Sequence, residues 1–226
     1  MSDRDRLINE LLDGYEGIAI INVNAESTEI SGKIRIHRSI KQYVSCGTYS
    51  LSVFVPSDQK KLPYVIDHGG IDAEYPHRYP DGKLCLATDI DMVVAFDQDP
   101  SLVTWMRNFV EPYYATYEYY RRYGEFPEGD RAHDVDGIVQ SYMDLFSTDG
   151  RQAVSLLDMI VNDTYRGHHT CPCGSGRRIR NCHGNMILKF KNSSMLLEQA
   201  KKDYQMMYMR FVREYAKQQR NSGITK

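Results

Sequence analysis

The chain has 226 residues, 42% apolar and 26% charged, with a formal net charge of −2. That is enough to bury one core of ordinary size plus a small appendage. No apolar run reaches the length of a membrane span, and the start, MSDRDRLINELLDGYEG, is charged where a secretory leader is apolar, so a cytoplasmic protein with no membrane partner is expected.

In chain order, DRDRLINELLDGYEG places Leu7, Ile8, Leu11 and Leu12 at helical spacing and then meets Gly14 and Gly17, predicting a short N-terminal helix. EISGKIRIHRSI alternates Ile30, Ile34 and Ile36 with Lys33 and Arg35, and TYSLSVFVPSD alternates Tyr49, Leu51, Val53 and Val55, the period of half-buried strands. KLPYVIDHGG reads as a third strand closed by glycines, so consecutive antiparallel strands are expected.

Residues 71–91 form a long irregular loop, of a length that in compact domains is usually functional. Asp99 before Pro100 reads as a cap, with Leu102, Trp105, Met106, Phe109 and Val110 at helical spacing behind it. The tyrosines of EPYYATYEYYRRYG suit packing on the sheet with polar contacts at the helix rim better than stacking on bases, so nucleic acid is not an expected partner. After a turn-rich connector, GIVQSYMDLFST and GRQAVSLLDMIVNDTYRG both carry helical periodicity. A long C-terminal helix follows, with Leu196, Leu197, Ala200, Tyr204, Met207, Tyr208, Phe211 and Tyr215 on roughly one face. From Met186 onward nine basic residues stand against three acidic ones, which reads as a solvated basic face. The class is α+β.

Five cysteines are an odd number, and Cys171, Cys173 and Cys182 crowd together beside His183 in CPCGSGRRIRNCHG. Three thiolates and one imidazole complete a tetrahedral zinc set with no open position, so the expected ion is structural. Gly174, Ser175 and Gly176 allow the sharp turn that lets separated ligand pairs converge, and Arg177, Arg178 and Arg180 offset thiolate charge. The pattern C-x-C-G-S-G, a basic run and C-H-G resembles the SEC-C motif, a zinc-stabilised knob that docks on proteins or ribosomes. Of the other two thiols, Cys46 reads as structural beside the turn at Gly47, and Cys85 lies between Leu84 and Leu86 behind a loop with Pro76 and Gly82.

The order helix, strands, cysteine loop, helices is similar to that of ubiquitin-conjugating enzymes. Tyr75, Pro76 and His77 stand where that family has H-P-N, and Gly82, Leu84, Cys85 and Leu86 fall in the places of its catalytic loop. Gly124, Phe126, Pro127, Gly129, Arg131 and His133 resemble a segment of the prokaryotic branch. The resemblance departs at Tyr75 and His77, which replace His and Asn, and at Trp105, which stands later than the family tryptophan; it covers roughly residues 5–147. It implies a ubiquitin-conjugating-like catalytic domain over 1–147 and a helical region over 148–226 holding the zinc motif at 167–186.

It further implies a thioester carried on Cys85, with His77 as oxyanion donor in place of Asn. The implied partner is a protein with a conjugatable C-terminus: a ubiquitin-like protein or, in antiphage CBASS operons, a cGAS-like nucleotidyltransferase, with a separate activating enzyme as a further candidate. A nearby positive field for the thiolate would come from His77, Arg78 and Lys83. Three other readings stand beside this one: a buried structural Cys85, an inactive binding module of the same fold, and a cysteine hydrolase, for which no third residue beside Cys85 and His77 is evident. His68 and His133 read as residues that hold loops.

Overall fold

A computed structural model describes residues 2–58, 60–129, 132 and 134–222, with side chains through Arg213. The chain is α+β and divides into two compact units, Met1–Asp130 and Arg131–Lys226. The division precedes the boundary expected at 147, and the helix Asp134–Phe146 belongs to the second unit. Among the described residues no helix is long and apolar enough to cross a membrane.

The first unit opens with α1 (Asp3–Gly14), capped reciprocally by Ser2 and Asp5. The strands β1 (Ile18–Val23), β2 (Ser27–Arg35), β5 (Thr48–Pro56) and β6 (Tyr64–Asp67) form an antiparallel sheet in the order β1-β2-β5-β6. A two-stranded ribbon, β3 (Arg38–Ile40) and β4 (Tyr43–Ser45), lies between β2 and β5 in the chain. The expected alternation holds: Ile30, Ile34, Tyr49, Leu51, Val53 and Val55 are buried and meet α1 and the later helices in one core. β1 was not evident in the sequence, because this edge strand is apolar yet mostly exposed and shows no alternation.

The stretch read as the end of a loop is helix α2 (Asp89–Gln98), capped by the Thr88 hydroxyl, which accepts from the Asp91 amide at 3.3 Å. Asp99 ends α2 instead of starting the next helix, whose cap is Ser101. That helix runs as α3 (Leu102–Trp105), a π-helical turn (Met106–Val110) and α4 (Glu111–Tyr123). Tyr113, Tyr114, Tyr117 and Tyr119 are buried, and Tyr114 stacks on Tyr49 of β5 with ring centroids 4.0 Å apart. Gly124 caps α4 in the left-handed region; Arg131 and His133 lie outside the described residues.

The second unit holds α5 (Asp134–Phe146), α6 (Gly150–Val161), α7 (Gly184–Asn192) and α8 (Ser194–Ser222), of which α7 was not read from the sequence. The buried stripe of α8 is Leu196, Gln199, Ala200, Asp203 and Met207, helical in period but with two polar members. Asp203 accepts from Tyr142 (3.0 Å) and from the Gln199 amide (2.9 Å), so its burial leaves no oxygen unpaired. Tyr208 and Phe211, expected on the apolar face, are exposed, and the side chain of Tyr215 lies outside the described residues.

Candidate functional site

Two centres collect the chemistry-bearing residues, one in each unit. In the first, the loop after β6 is tied down by Asp67, which is 4% exposed. Its Oδ2 accepts the amides of Gly69 (2.9 Å) and Ile71 (3.0 Å), and its Oδ1 accepts the Tyr114 hydroxyl (3.1 Å). Burial, then the Asp67 charge, holds Tyr114 above the ordinary phenol range, so it stays a donor.

Residues 77–79 and 83–85 run antiparallel through a bond from the Tyr79 amide to the Lys83 carbonyl (2.9 Å) and one from the Cys85 amide to the His77 carbonyl (2.8 Å). The connecting turn Tyr79-Pro80-Asp81-Gly82 closes through the Gly82 amide on the Tyr79 carbonyl at 2.9 Å, with proline at the second position and Gly82 at φ +85°. The returning arm is also sewn to β6: the Asp67 amide donates to the Gly82 carbonyl (3.0 Å) and the Leu84 amide to the Val65 carbonyl (2.9 Å). Leu84 is buried and Cys85, next in the alternation, is half-buried with a free thiol.

The same His77 carbonyl takes a second bond, from the Tyr113 hydroxyl at 3.0 Å. Tyr113 is held above the usual phenol range chiefly by burial, then by its neighbours Tyr75 and Asp67. The His77 ring, half-buried, meets Phe126 edge to face at 5.0 Å and Tyr75 at 5.7 Å. Tyr75 is buried in a box of Tyr113, Tyr117, Tyr120 and Phe126.

Of the three cations expected near the thiol, Arg78 has its Nε buried without a hydrogen-bond partner among the described residues, whereas Lys83 lies over the Tyr64 ring at 5.0 Å. The start of α2, four residues after Cys85, offers a positive helix end, countered by Asp89 and Asp91 in its first turn. His68 is held on the sheet, its amide on the Ser50 carbonyl (2.9 Å) and its Nε2 2.8 Å from the Ser52 hydroxyl. Cys46, expected to be structural, is exposed with its Sγ 3.4 Å from His37 Nδ1.

In the second unit the ligating atoms of Cys171, Cys173, Cys182 and His183 all lie within 4.8 Å of one another, a set able to hold a metal ion. Cys171 Sγ and Cys182 Sγ are 3.3 and 3.4 Å from His183 Nδ1, and Cys173 Sγ is 3.5 Å from Cys182 Sγ. Tetrahedral zinc with ordinary Zn–S and Zn–N bonds spaces its ligands about 3.6–3.8 Å apart, close to these separations.

His183 Nε2 lies 2.8 Å from the Phe146 carbonyl at the end of α5. A carbonyl only accepts, so Nε2 is the donor in this contact, and it is Nδ1 that faces the thiols.

The hairpin around the first two cysteines is short. Cys171 donates its amide to the Arg177 carbonyl at 2.8 Å and Ile179 to the His169 carbonyl at 2.9 Å, while Gly174 and Gly176 turn the chain at φ +77° and +70°. Arg177 Nη2 reaches Cys182 Sγ at 3.5 Å, and Ser175 Oγ lies within 3.4 Å of both Cys173 and Cys182. Burial pushes the Cys171 thiol up to about 11. Although burial also raises Cys173, bonds from Ser175, then Cys171 and Cys182, bring it down to about 6. The glycine of C-H-G has a steric cause: a Cβ on Gly184 would stand 2.9 Å from the Ile179 carbonyl oxygen.

The structure thus brings the four sequence-predicted metal ligands together and joins His77 to Cys85 through the backbone. Sequence reasoning missed Asp67, the Tyr113 hydroxyl and the Phe146 carbonyl, none of which has a local signature. Comparison with family models, with curated proteins and with solved structures returns no match for this chain.

Proposed function

We propose that the first unit is a prokaryotic ubiquitin-conjugating-like acyl carrier with Cys85 as its nucleophile. The observation that carries this reading is the half-buried thiol on a loop hydrogen-bonded on both arms, its amide bound to the carbonyl of His77. The Cys85 thiolate attacks an activated C-terminal carbonyl of the carried protein; the leaving group departs from the activating enzyme's product, and a thioester forms. An acceptor amine then attacks that carbonyl, the C–S bond breaks with its electron pair returning to sulfur, and the amine loses a proton to give an amide. His77 is the donor for the transient oxyanion, in the place of the family's asparagine.

In the second unit Cys171, Cys173, Cys182 and His183 hold a structural zinc ion, in the manner of a SEC-C knob. Bound there, the ion cross-links the hairpin to the start of α7 and leaves no position for substrate. The setting proposed is cytoplasmic antiphage defence or ubiquitin-like modification, with a cGAS-like nucleotidyltransferase or a ubiquitin-like protein as cargo.

A second reading, an inactive module that binds a protein partner, is favoured by Tyr75, which fills the place of the family histidine and is only 4% exposed. Intact mass after co-expression with the genomic neighbours separates the two. A protein-sized adduct, released by thiol and missing from Cys85→Ala, supports the carrier. An adduct that survives Cys85→Ala, or none at all with the neighbours expressed and bound, rules it out.

A further inference from the structure

The last pairing of β1 with β2 is Ile18 opposite Gly32, followed by one bond from the Lys33 amide to the Gly17 carbonyl at 2.8 Å. β2 then continues to Arg35 with only β5 beside it. Against this open side is a cavity of about 640 Å³ whose walls include Tyr15, Glu16, Lys33, Arg35, Arg107 and Glu111. It is an open depression, and its volume falls within the range of small-molecule sites.

Arg107 comes from the π-helical turn, which has a cause in the sequence. The Glu111 amide bonds five residues back to the Met106 carbonyl, and the next donor in that register would be Pro112, which has no N–H. The Arg107 carbonyl is instead taken by Arg38 Nη1 at 2.5 Å.

The charges in the cavity do not balance. Glu111 accepts the Tyr15 hydroxyl at 2.6 Å and is paired with Arg38 at 3.3 Å. Burial, then Glu111, holds Tyr15 above the ordinary phenol range, so it adds no negative charge. Among the described residues Lys33, Arg35 and Arg107, all exposed, face Glu16 and the Arg38-paired Glu111, and Arg107 also interacts with the Tyr15 hydroxyl, so positive charge is in excess.

We propose that this cavity binds a small molecule carrying at least two phosphate charges, held by Lys33, Arg35 and Arg107. Two guanidinium forks and an ammonium that line one pocket from a strand and a helix suit phosphate oxygens, which arginine binds in a bidentate manner. The site is independent of the Cys85 chemistry.

The test is calorimetric titration of the full-length protein with inorganic pyrophosphate at low and at physiological ionic strength. One saturable site is expected, weaker at higher salt. Arg107→Ala and Lys33→Ala are each expected to weaken it about tenfold, the effect of losing one charge-assisted contact, with unchanged melting of the free protein. No saturable binding at low salt, or binding indifferent to both substitutions, overturns the proposal. A hexaglutamate peptide that binds more tightly than pyrophosphate and is lost in the same variants also overturns it, in favour of an acidic protein segment.

Discussion

The carbonyl of His77 accepts two hydrogen bonds, from the Cys85 amide at 2.8 Å and from the buried Tyr113 hydroxyl at 3.0 Å. The Cys85 amide is therefore anchored by main chain, and that anchor by a helix side chain, while the His77 ring packs on Tyr75 and Phe126. Removing the ring leaves both bonds to the His77 carbonyl available.

His77→Ala is accordingly expected to leave thioester formation on Cys85 intact and to slow transfer to an amine by about 10²–10³-fold, the usual effect of losing an oxyanion donor. His77→Asn should recover most of that rate. Single-turnover discharge of a preformed thioester measures both; equal rates for wild type and His77→Ala would remove the ring from the chemistry.

Tyr113→Phe deletes one bond to the His77 carbonyl inside the core. A loss of about 1 kcal/mol is expected, together with faster exchange of the Cys85 amide and faster alkylation of its thiol. Hydrogen exchange followed by mass spectrometry reads the first and iodoacetamide kinetics the second.

Asp67→Ala orphans two buried donors at once, the Ile71 amide and the Tyr114 hydroxyl, and frees the exposed Gly69 amide to solvent. At about 1–3 kcal/mol for each unsatisfied buried group, the loss should reach about 2 kcal/mol or more and loosen the loop before the sheet. Urea unfolding of the variant gives the total, and proteolysis shows whether residues 68–84 are cut first.

Zinc removal is expected to disorder residues 167–190 while the strands of the first unit remain. His183→Ala and Cys182→Ser should each lower the zinc content of the purified protein and the melting temperature of the helices around the site. Because thiols must lose protons to bind, zinc release should increase as pH falls. Elemental analysis with circular dichroism tests this; unchanged helicity and melting after complete chelation would refute a structural role for the metal.

Gly184→Ala places a methyl group against the Ile179 carbonyl. A loss of about 1–3 kcal/mol is expected from overpacking, with weaker metal retention as the start of α7 shifts away from the cysteines. Competition with a chromogenic chelator reports the change.

The alternation of Ile30, Ile34, Tyr49, Leu51 and Val53 marked the sheet, and the spacing of Cys171, Cys173, Cys182 and His183 marked the metal quartet. Both were legible because they depend on neighbours in the chain: strand period sets which side chains face inward, and a tight hairpin with two positive-φ glycines brings its own ends together. Helix α2 also carried a local sign, Thr88 three residues before Asp91, but its acidic and apolar mixture does not declare a face.

Other features depended on contacts between residues distant in sequence. The carbonyl shared by Cys85 and Tyr113, the Asp67 anchor, the Phe146 carbonyl that accepts from His183 Nε2, and the buried Tyr142–Asp203–Gln199 group each join separate elements. Polar residues at such places read as surface in a sequence, since burial of a carboxylate or hydroxyl is tolerated only when partners from elsewhere arrive to satisfy it. Local periodicity by itself determined the inner strands of this protein and cysteine spacing its candidate metal quartet, whereas the setting of its loop thiol and of its buried acids was decided by tertiary packing alone.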